Sequence, residues 1–298
     1  MTLSIQELRV IILVDNSVQF RGLLGEAGFS ALVTVTYADR SRFRLLFDTG
    51  GPTLALQHNL AELDEDLRTV DAIVLSHGHW DHVGGLIHVL GMSGMKPPVV
   101  CHPDALLPKV HVDDDGERTD VGSQGYFTRR ELESMAHVVT TTRQYQVSDG
   151  IMTTGEVPRE NEFETIEGRL TRIVKVSADG ERPDTLADDL SVYFAMGDGR
   201  MVVLTGCCHA GIVNTLNHLE RVSRSSEFSA VVGGLHLHDA SKLRLERTVD
   251  YLRTCHLSVL APCHCTGFRG RAVLMGSLGD CFRDVGTGSV IEFVSEAV

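Results

Sequence analysis

Short apolar runs rich in valine, isoleucine and leucine recur along the 298-residue chain. ELRVIILVD (7–15), SALVTVTY (30–37), FRLLFDTG (43–50), VDAIVLSH (70–77), PPVVCH (97–102) and AHVVTTT (136–142) come first. LSVYFAM (190–196), RMVVLTG (200–206), SAVVGGLH (229–236) and LSVLAPCH (257–264) follow. Their lengths and β-branched content predict strands. Between the later runs the period changes. GIVNTLNHLERVS (211–223) gathers Ile212, Leu216, Leu219 and Val222 on one face. SKLRLERTVDYLRT (241–254) does the same with Leu243, Leu245, Val249 and Leu252. Both predict amphipathic helices. The fold class expected is α/β.

Several strands end in ligand-capable residues: FDTGG (47–51), LSHGH (75–79), LTGCCH (204–209), LAPCH (260–264) and, nearly, VVGGLH (231–236). Sites in α/β proteins gather beyond the carboxyl ends of strands, so distant parts of the chain point to one place. The polar, acidic stretch 110–135 reads as an insertion or flap, and 155–168 as another loop. Neither resembles an interdomain linker. A single domain over residues 1–298 is expected. The glycine-rich GMSGM (91–95) lacks the spacing and lysine of a phosphate loop, and DDD (113–115) reads as a solvated turn.

Composition narrows the classes. Hydrophobic residues make up 43% and charged residues 22%, an ordinary globular balance. Forty acids against 27 bases give a net charge of −13, which argues against a nucleic-acid binder. No apolar run reaches the roughly 20 residues of a membrane helix. The N-terminus has an acid before its apolar run and no small-residue cleavage site, so mature, cytoplasmic protein is expected. Seven cysteines, an odd number, fit reduced thiols.

The chemistry concentrates in SHGHWDHVGG (76–85). A strand delivers His77, and an extended turn puts His77 and His79 on one side. Gly78 lets the backbone turn tightly. Asp81 is expected at the N-cap of a following helix, facing its positive end, with His82 pointing elsewhere. Two adjacent ligand sets result, His77 with His79 and Asp81 with His82. Two ions about 3.5–4 Å apart would share one water there. Imidazole and carboxylate suit zinc, iron or manganese. A structural zinc site would more often use CxxC pairs, and none occurs.

HxHxDH after a strand, with DTGG upstream, resembles the metallo-β-lactamase superfamily. The ordered motifs LVDN (13–16), LFDTGG, SHGHWDHVGGL, ENEFE (160–164), LTGCCHAGIVN, GGLHL (233–237) and APCHCTG (261–267) are similar to a subgroup. That subgroup is named for 7,8-dihydropterin-6-methyl-4-(β-D-ribofuranosyl)aminobenzene-5′-phosphate synthase. The resemblance implies an αββα four-layer sandwich, two mixed sheets with helices outside, and two divalent ions, zinc before manganese or iron. It implies a metal-dependent hydrolase acting on a phosphorylated small molecule, a phosphodiester or phosphate ester. The alternatives are a dihydropterin-conjugating transferase releasing pyrophosphate and a di-iron oxygen-handling protein.

The same resemblance assigns roles. His209 would join His77 and His79, and His264 would join Asp81 and His82. Asp81 would also orient the nucleophile. Cys207 stands where the superfamily usually has a bridging aspartate; it either bridges or sits beside the cluster. Asp48 would orient a metal-bound histidine. His236 is a rival ligand, a substrate hydrogen-bonding group or a proton donor. Glu162 and Glu164 either approach the site or belong to a solvated loop, and Asn16 shapes the floor or a turn. The other eight histidines, His238 among them, have no motif context. A homo-oligomer through 110–135 remains open.

Overall fold

The computed structural model describes residues 3–52, 54–93 and 96–296. Gly94 and Met95 of the glycine-rich turn lie outside them. In chain order the first strands are Ile5–Val14 (β1), Ser30–Tyr37 (β2), Arg42–Phe47 (β3), Ala72–Val74 (β4) and Pro98–Cys101 (β5). Lys109–Val112 (β6), Arg118–Asp120 (β7), His137–Thr140 (β8), Gln146–Ser148 (β9), Ile151–Thr153 (β10), Ile173–Ser177 (β11) and Gly180–Pro183 (β12) continue the series. Ser191–Ala195 (β13), Met201–Thr205 (β14), Phe228–Gly234 (β15), Val259–Cys263 (β16) and Val290–Val294 (β17) complete it. The helices are Leu54–Glu62 (α1), Trp80–Val83 (α2), Leu86–Met92 (α3), Arg129–Met135 (α4), Ile212–Ser223 (α5), Lys242–Thr254 (α6) and Gly267–Leu278 (α7).

Two large mixed sheets form the centre. One has the order β17-β1-β2-β3-β4-β5-β8, the other β16-β15-β14-β13-β10-β9. The first is antiparallel from β17 to β3 and parallel from β3 to β8. The second is parallel through β14, β15 and β16. Alternate residues of a strand face opposite sides, and three cores follow from that rule. Val10, Ile12, Val33 and Phe47 of the first sheet share a core with Val192, Phe194 and Val232 of the second. Ile11, Leu13, Leu46 and Ile73 turn the other way, onto Leu56, Leu86 and Leu132 of the helices. Val203, Val231 and Leu260 pack on Leu216, Leu245 and Leu274. The layers are therefore helix, sheet, sheet, helix, a mixed α/β sandwich.

Two local expectations need correction. Leu243 is 55% exposed; α6 buries Leu245, Thr248, Val249 and Leu252 instead. The polar stretch 110–135 is structured: most of β6, all of β7 and α4 come from it. β6 and β7 join β11 and β12 in a third, antiparallel sheet, order β12-β11-β6-β7. DDD (113–115) lies in the turn joining β6 to β7, where the Asp113 N–H bonds to the Glu117 carbonyl. Among the described residues no helix is long and apolar enough to cross a membrane.

Candidate metal centre

β1, β3, β4, β14, β15 and β16 all end at one edge of the sandwich, and each is followed by a polar residue of the site. Asp15 and Asn16 follow β1, Asp48 follows β3, Ser76 to His82 follow β4, Cys207 and His209 follow β14, His236 follows β15 and His264 follows β16. Asp48, His236 and His264 have φ of 57°, 46° and 49°. Such left-handed conformations cost about 1–3 kcal/mol each outside glycine and persist where the surroundings over-determine them.

His77 Nε2 lies 2.9 Å from His79 Nδ1 and 3.3 Å from His209 Nε2. Burial, then the neighbouring imidazoles, holds His77 and His209 well below the ordinary histidine range. Burial, then Lys109, pushes His79 down to about 3. Three neutral rings thus converge on one point. The ring atoms His79 Nε2, His209 Nδ1 and His236 Nδ1 are buried without a hydrogen-bond partner. Two nitrogens held about 2.0–2.1 Å from a tetrahedral ion stand about 3.3 Å apart. The 3.3 Å spacing of His77 and His209 matches two ligands of one ion, while the 2.9 Å spacing of His77 and His79 is also an ordinary hydrogen-bond distance. Three neutral imidazoles turned to one point are the donor set that suits a divalent ion.

A second set lies beside the first. His82 Nε2 is 3.1 Å from His264 Nε2, and Asp81 Oδ2 is 3.7 and 3.6 Å from those two nitrogens. Cys207 Sγ is 3.3 Å from His82 Nε2 and 3.4 Å from His264 Nε2. The same sulfur groups within 4.8 Å with His77 and His82, and separately with His209 and His236. It therefore faces both sets. Burial, then the adjacent Cys265, raises the Cys207 thiol well above its usual range; a metal would oppose that, because the thiolate is the ligand form. Burial alone would depress His82, but the carboxylates of Asp81 and Asp48 outweigh it and push the ring up to about 9.

An outer ring of acceptors aims these imidazoles. His82 Nδ1 donates to Asp48 Oδ2 at 2.7 Å. Ser76 Oγ donates to Asp48 Oδ2 at 2.6 Å and faces His77 Nδ1 at 2.9 Å. His264 Nδ1 donates to Asn16 Oδ1 at 2.7 Å, and the His264 backbone N–H donates to Asp15 Oδ1 at 2.6 Å. With Nδ1 carrying the proton, Nε2 of His77 and His264 keeps its lone pair for a metal, and Nε2 of His82 gains one when its second proton leaves, the usual way an outer shell sets the tautomer.

Asp81 is not the helix cap expected for it. His79 is the N-cap of α2 and makes no side-chain capping bond, while Asp81 lies within the first turn. Its carboxylate is drawn to His82 and His264 and stays about one-fifth exposed. Glu164 is buried away from the donors. It accepts from the N–H groups of Val213 (3.0 Å) and Asn214 (2.8 Å) and so caps α5. Gly211, with φ 93°, leaves room for it: a Cβ there would stand 2.1 Å from the carboxyl carbon. Glu162 remains exposed.

The structure also brings in residues to which the sequence assigned no metal role. The His238 ring lies 4.9 Å from that of His236. Cys265 groups with Cys207 and His264. Asp188 and Asp189 bond the backbone of Gly78 and His209. Cavities of about 710 and 930 Å3 are lined by other residues and share none of the donors.

A sequence profile described as the metallo-beta-lactamase superfamily matches residues 30–176, the span that contains Asp48 and HxHxDH. The chain belongs to the metallo-beta-lactamase superfamily. Within it, the chain is 33% identical over 262 residues to an uncharacterized protein of Methanocaldococcus jannaschii, covering 87% of this chain and 90% of that one. It is 26% identical over 267 residues to the 7,8-dihydropterin-6-methyl-4-(beta-D-ribofuranosyl)-aminobenzene-5′-phosphate synthase of the same organism, covering 89% and 90%. The crystal structure of Tm1679, a metal-dependent hydrolase of the beta-lactamase superfamily, superposes with a TM-score of 0.78 at 26% identity. That match covers 97% of this chain and all of the other.

Proposed function

We propose that this superfamily member is a hydrolase that holds two divalent ions and acts on a phosphate-containing small molecule, a phosphodiester or phosphate ester. The pair of donor sets facing Cys207 carries the reading. His77, His79 and His209 would hold one ion, Asp81, His82 and His264 the other, with Cys207 between them. Imidazole, carboxylate and thiolate together suit zinc, with manganese or iron as alternatives. When bound, such ions make water a nucleophile near neutral pH and stabilise developing negative charge.

The protein's own groups do the rest. Asp81, about one-fifth exposed, would accept a hydrogen bond from the attacking water and orient it. Burial, then His238, holds His236 well below its ordinary range. A neutral His236 would donate a hydrogen bond to a substrate oxygen, and an anion bound against it would raise its basicity toward proton delivery. The −13 charge favours a small substrate over nucleic acid.

The test is metal content on protein purified without added metal or chelator, followed by hydrolysis of a chromogenic phosphodiester. About two equivalents of zinc or manganese, with hydrolysis lost on chelation and restored on reloading, is the expected result. Two iron atoms with oxygen uptake would replace the hydrolase by the di-iron reading, and no metal after reconstitution would end both. A transferase reading is favoured by one observation, the synthase similar over 89% of this chain. Pyrophosphate release from a dihydropterin pyrophosphate and an aromatic amine would select it.

Loading should depend on pH differently at the two sets. His77, His79 and His209 are already neutral near pH 6. His82, with its pKa raised to about 9 in the metal-free chain, must release a proton before it can ligate. Below pH 9 the affinity of its set should fall about tenfold per pH unit. We expect about two equivalents retained through gel filtration at pH 8 and about one at pH 5.5. Equal stoichiometry at both would show that protonation of His82 does not limit loading of its set.

A further inference from the structure

We infer that Asp188 is a positioning residue for the first ion: it fixes the backbone between His77 and His79 and is itself held by the buried Lys109. This rests on the proposal that those histidines hold a metal. Gly78, the residue between them, donates its N–H to Asp188 Oδ2 at 2.9 Å. On its other side there is no slack, since a Cβ at Gly78 would stand 2.3 Å from the Ala105 carbonyl oxygen. The loop is pinched between the turn at Ala105 and the Asp188 carboxylate.

The neighbours of Asp188 extend the clamp. Leu190 N–H donates to the Ser76 carbonyl at 2.7 Å, and His209 N–H donates to Asp189 Oδ2. One short segment, 188–190, thus bonds the main chain on both loops that supply His77, His79 and His209. Among the described residues it makes no main-chain bond to Asp81, His82 or His264 themselves, whose side chains are aimed by Asp48, Asn16 and Asp15, although the first of these loops runs on into Asp81 and His82.

Something must hold Asp188 in turn, because a lone buried carboxylate is costly. Lys109 Nζ does so, at 2.8 Å from Asp188 Oδ1 and 2.6 Å from Asp184 Oδ2. Lys109 is fully buried and Asp184 and Asp188 nearly so, so the three charges form a buried triad. Its main chain is held in the third sheet: Val121 N–H and Gln124 Nε2 both donate to the Lys109 carbonyl, at 3.0 and 2.8 Å. The third sheet thereby reaches the metal loop through the Lys109 ammonium group, and the polar insertion also touches that loop directly, its Val121 carbonyl accepting from the Trp80 N–H at 3.0 Å. A hydrogen-bonded carboxylate outside the ligand shell typically governs 10–100-fold in metal affinity.

The experiment compares Asp188→Ala with Asp188→Asn in the full chain. Each step of zinc binding is measured by competition with a chromogenic chelator, and thermal unfolding is recorded in parallel. His209→Ala identifies which step belongs to the first set. Asp188→Ala should weaken that step about 10–100-fold and leave the other within about threefold. Asp188→Asn keeps an oxygen for the Gly78 N–H but loses the charge. It should lower the melting temperature and yet hold the first ion within about threefold of the unmodified chain. If both variants lose affinity in proportion to lost stability, or both steps weaken alike, the positioning role is overturned. Unchanged first-step binding in Asp188→Ala overturns it as well, while two ions in the unmodified chain leave the metal reading standing. An unmodified chain that takes up no zinc overturns both.

Discussion

Asp81→Ala is expected to lose one of two metal equivalents and to cut hydrolysis of a chromogenic phosphodiester about a thousandfold. Asp81 is the only carboxylate among the donors of the second set, with Oδ2 at 3.7 and 3.6 Å from the nitrogens of His82 and His264. Its removal leaves that ion two imidazoles and one shared thiol. It also removes the group proposed to orient the water. Loss of Lewis-acid stabilisation is worth several kcal/mol, and about 4 kcal/mol is three decades in rate. The fold should barely register the change. The side chain is about one-fifth exposed, and the backbone carbonyl of Asp81, which accepts from the Phe29 N–H at 3.1 Å, is kept. Elemental analysis, the rate at saturating substrate and the melting temperature of the metal-free protein together decide the case. A variant with both ions and full rate would remove Asp81 from the site.

The donors were legible in sequence because they are crowded together or sit at strand ends. SALVTVTY coincides with β2 end to end, and 211–223 differs from α5 by a single residue. Among the supports, the resemblance pointed to Asp48, and Asn16 was one of two alternatives; Asp15, Asp188 and Asp189 were not legible, because their partners lie far away along the chain. Asp15 meets His264 across 249 positions, and Asp188 meets Gly78 across 110. A lone aspartate in a polar run carries no periodic signal that tells a buried acceptor from a solvated one. The third sheet failed to register for a related reason. β11 buries one residue fully and β12 is exposed throughout, so neither strand shows the apolar alternation that marks a half-buried strand. Lys109 is the sharpest case: read alone it is a surface lysine, and only the fold brings Asp184 and Asp188 to it.

Lys109→Met should therefore be among the most destabilising single substitutions in the chain. The methionine fills similar volume, so the loss is electrostatic rather than a cavity. It strands two carboxylates that are 4% and 0% exposed as residues. In the unmodified chain burial would raise the Asp188 carboxyl, and the Lys109 charge overrides this and holds it below the usual range. Removing one partner of a buried ion pair costs about 3–5 kcal/mol, against a total stability of about 5–15 kcal/mol for a folded domain. Urea titration of the metal-free protein should show the midpoint falling accordingly. Adding Asp184→Asn and Asp188→Asn to Lys109→Met removes the stranded charges and should recover most of the loss, since a buried ion pair replaced as a whole is often neutral in stability. If Lys109→Met alone is as stable as the unmodified chain, the triad is hydrated in solution. If the triple variant stays as unstable as the single one, packing around the lysine stem outweighs charge.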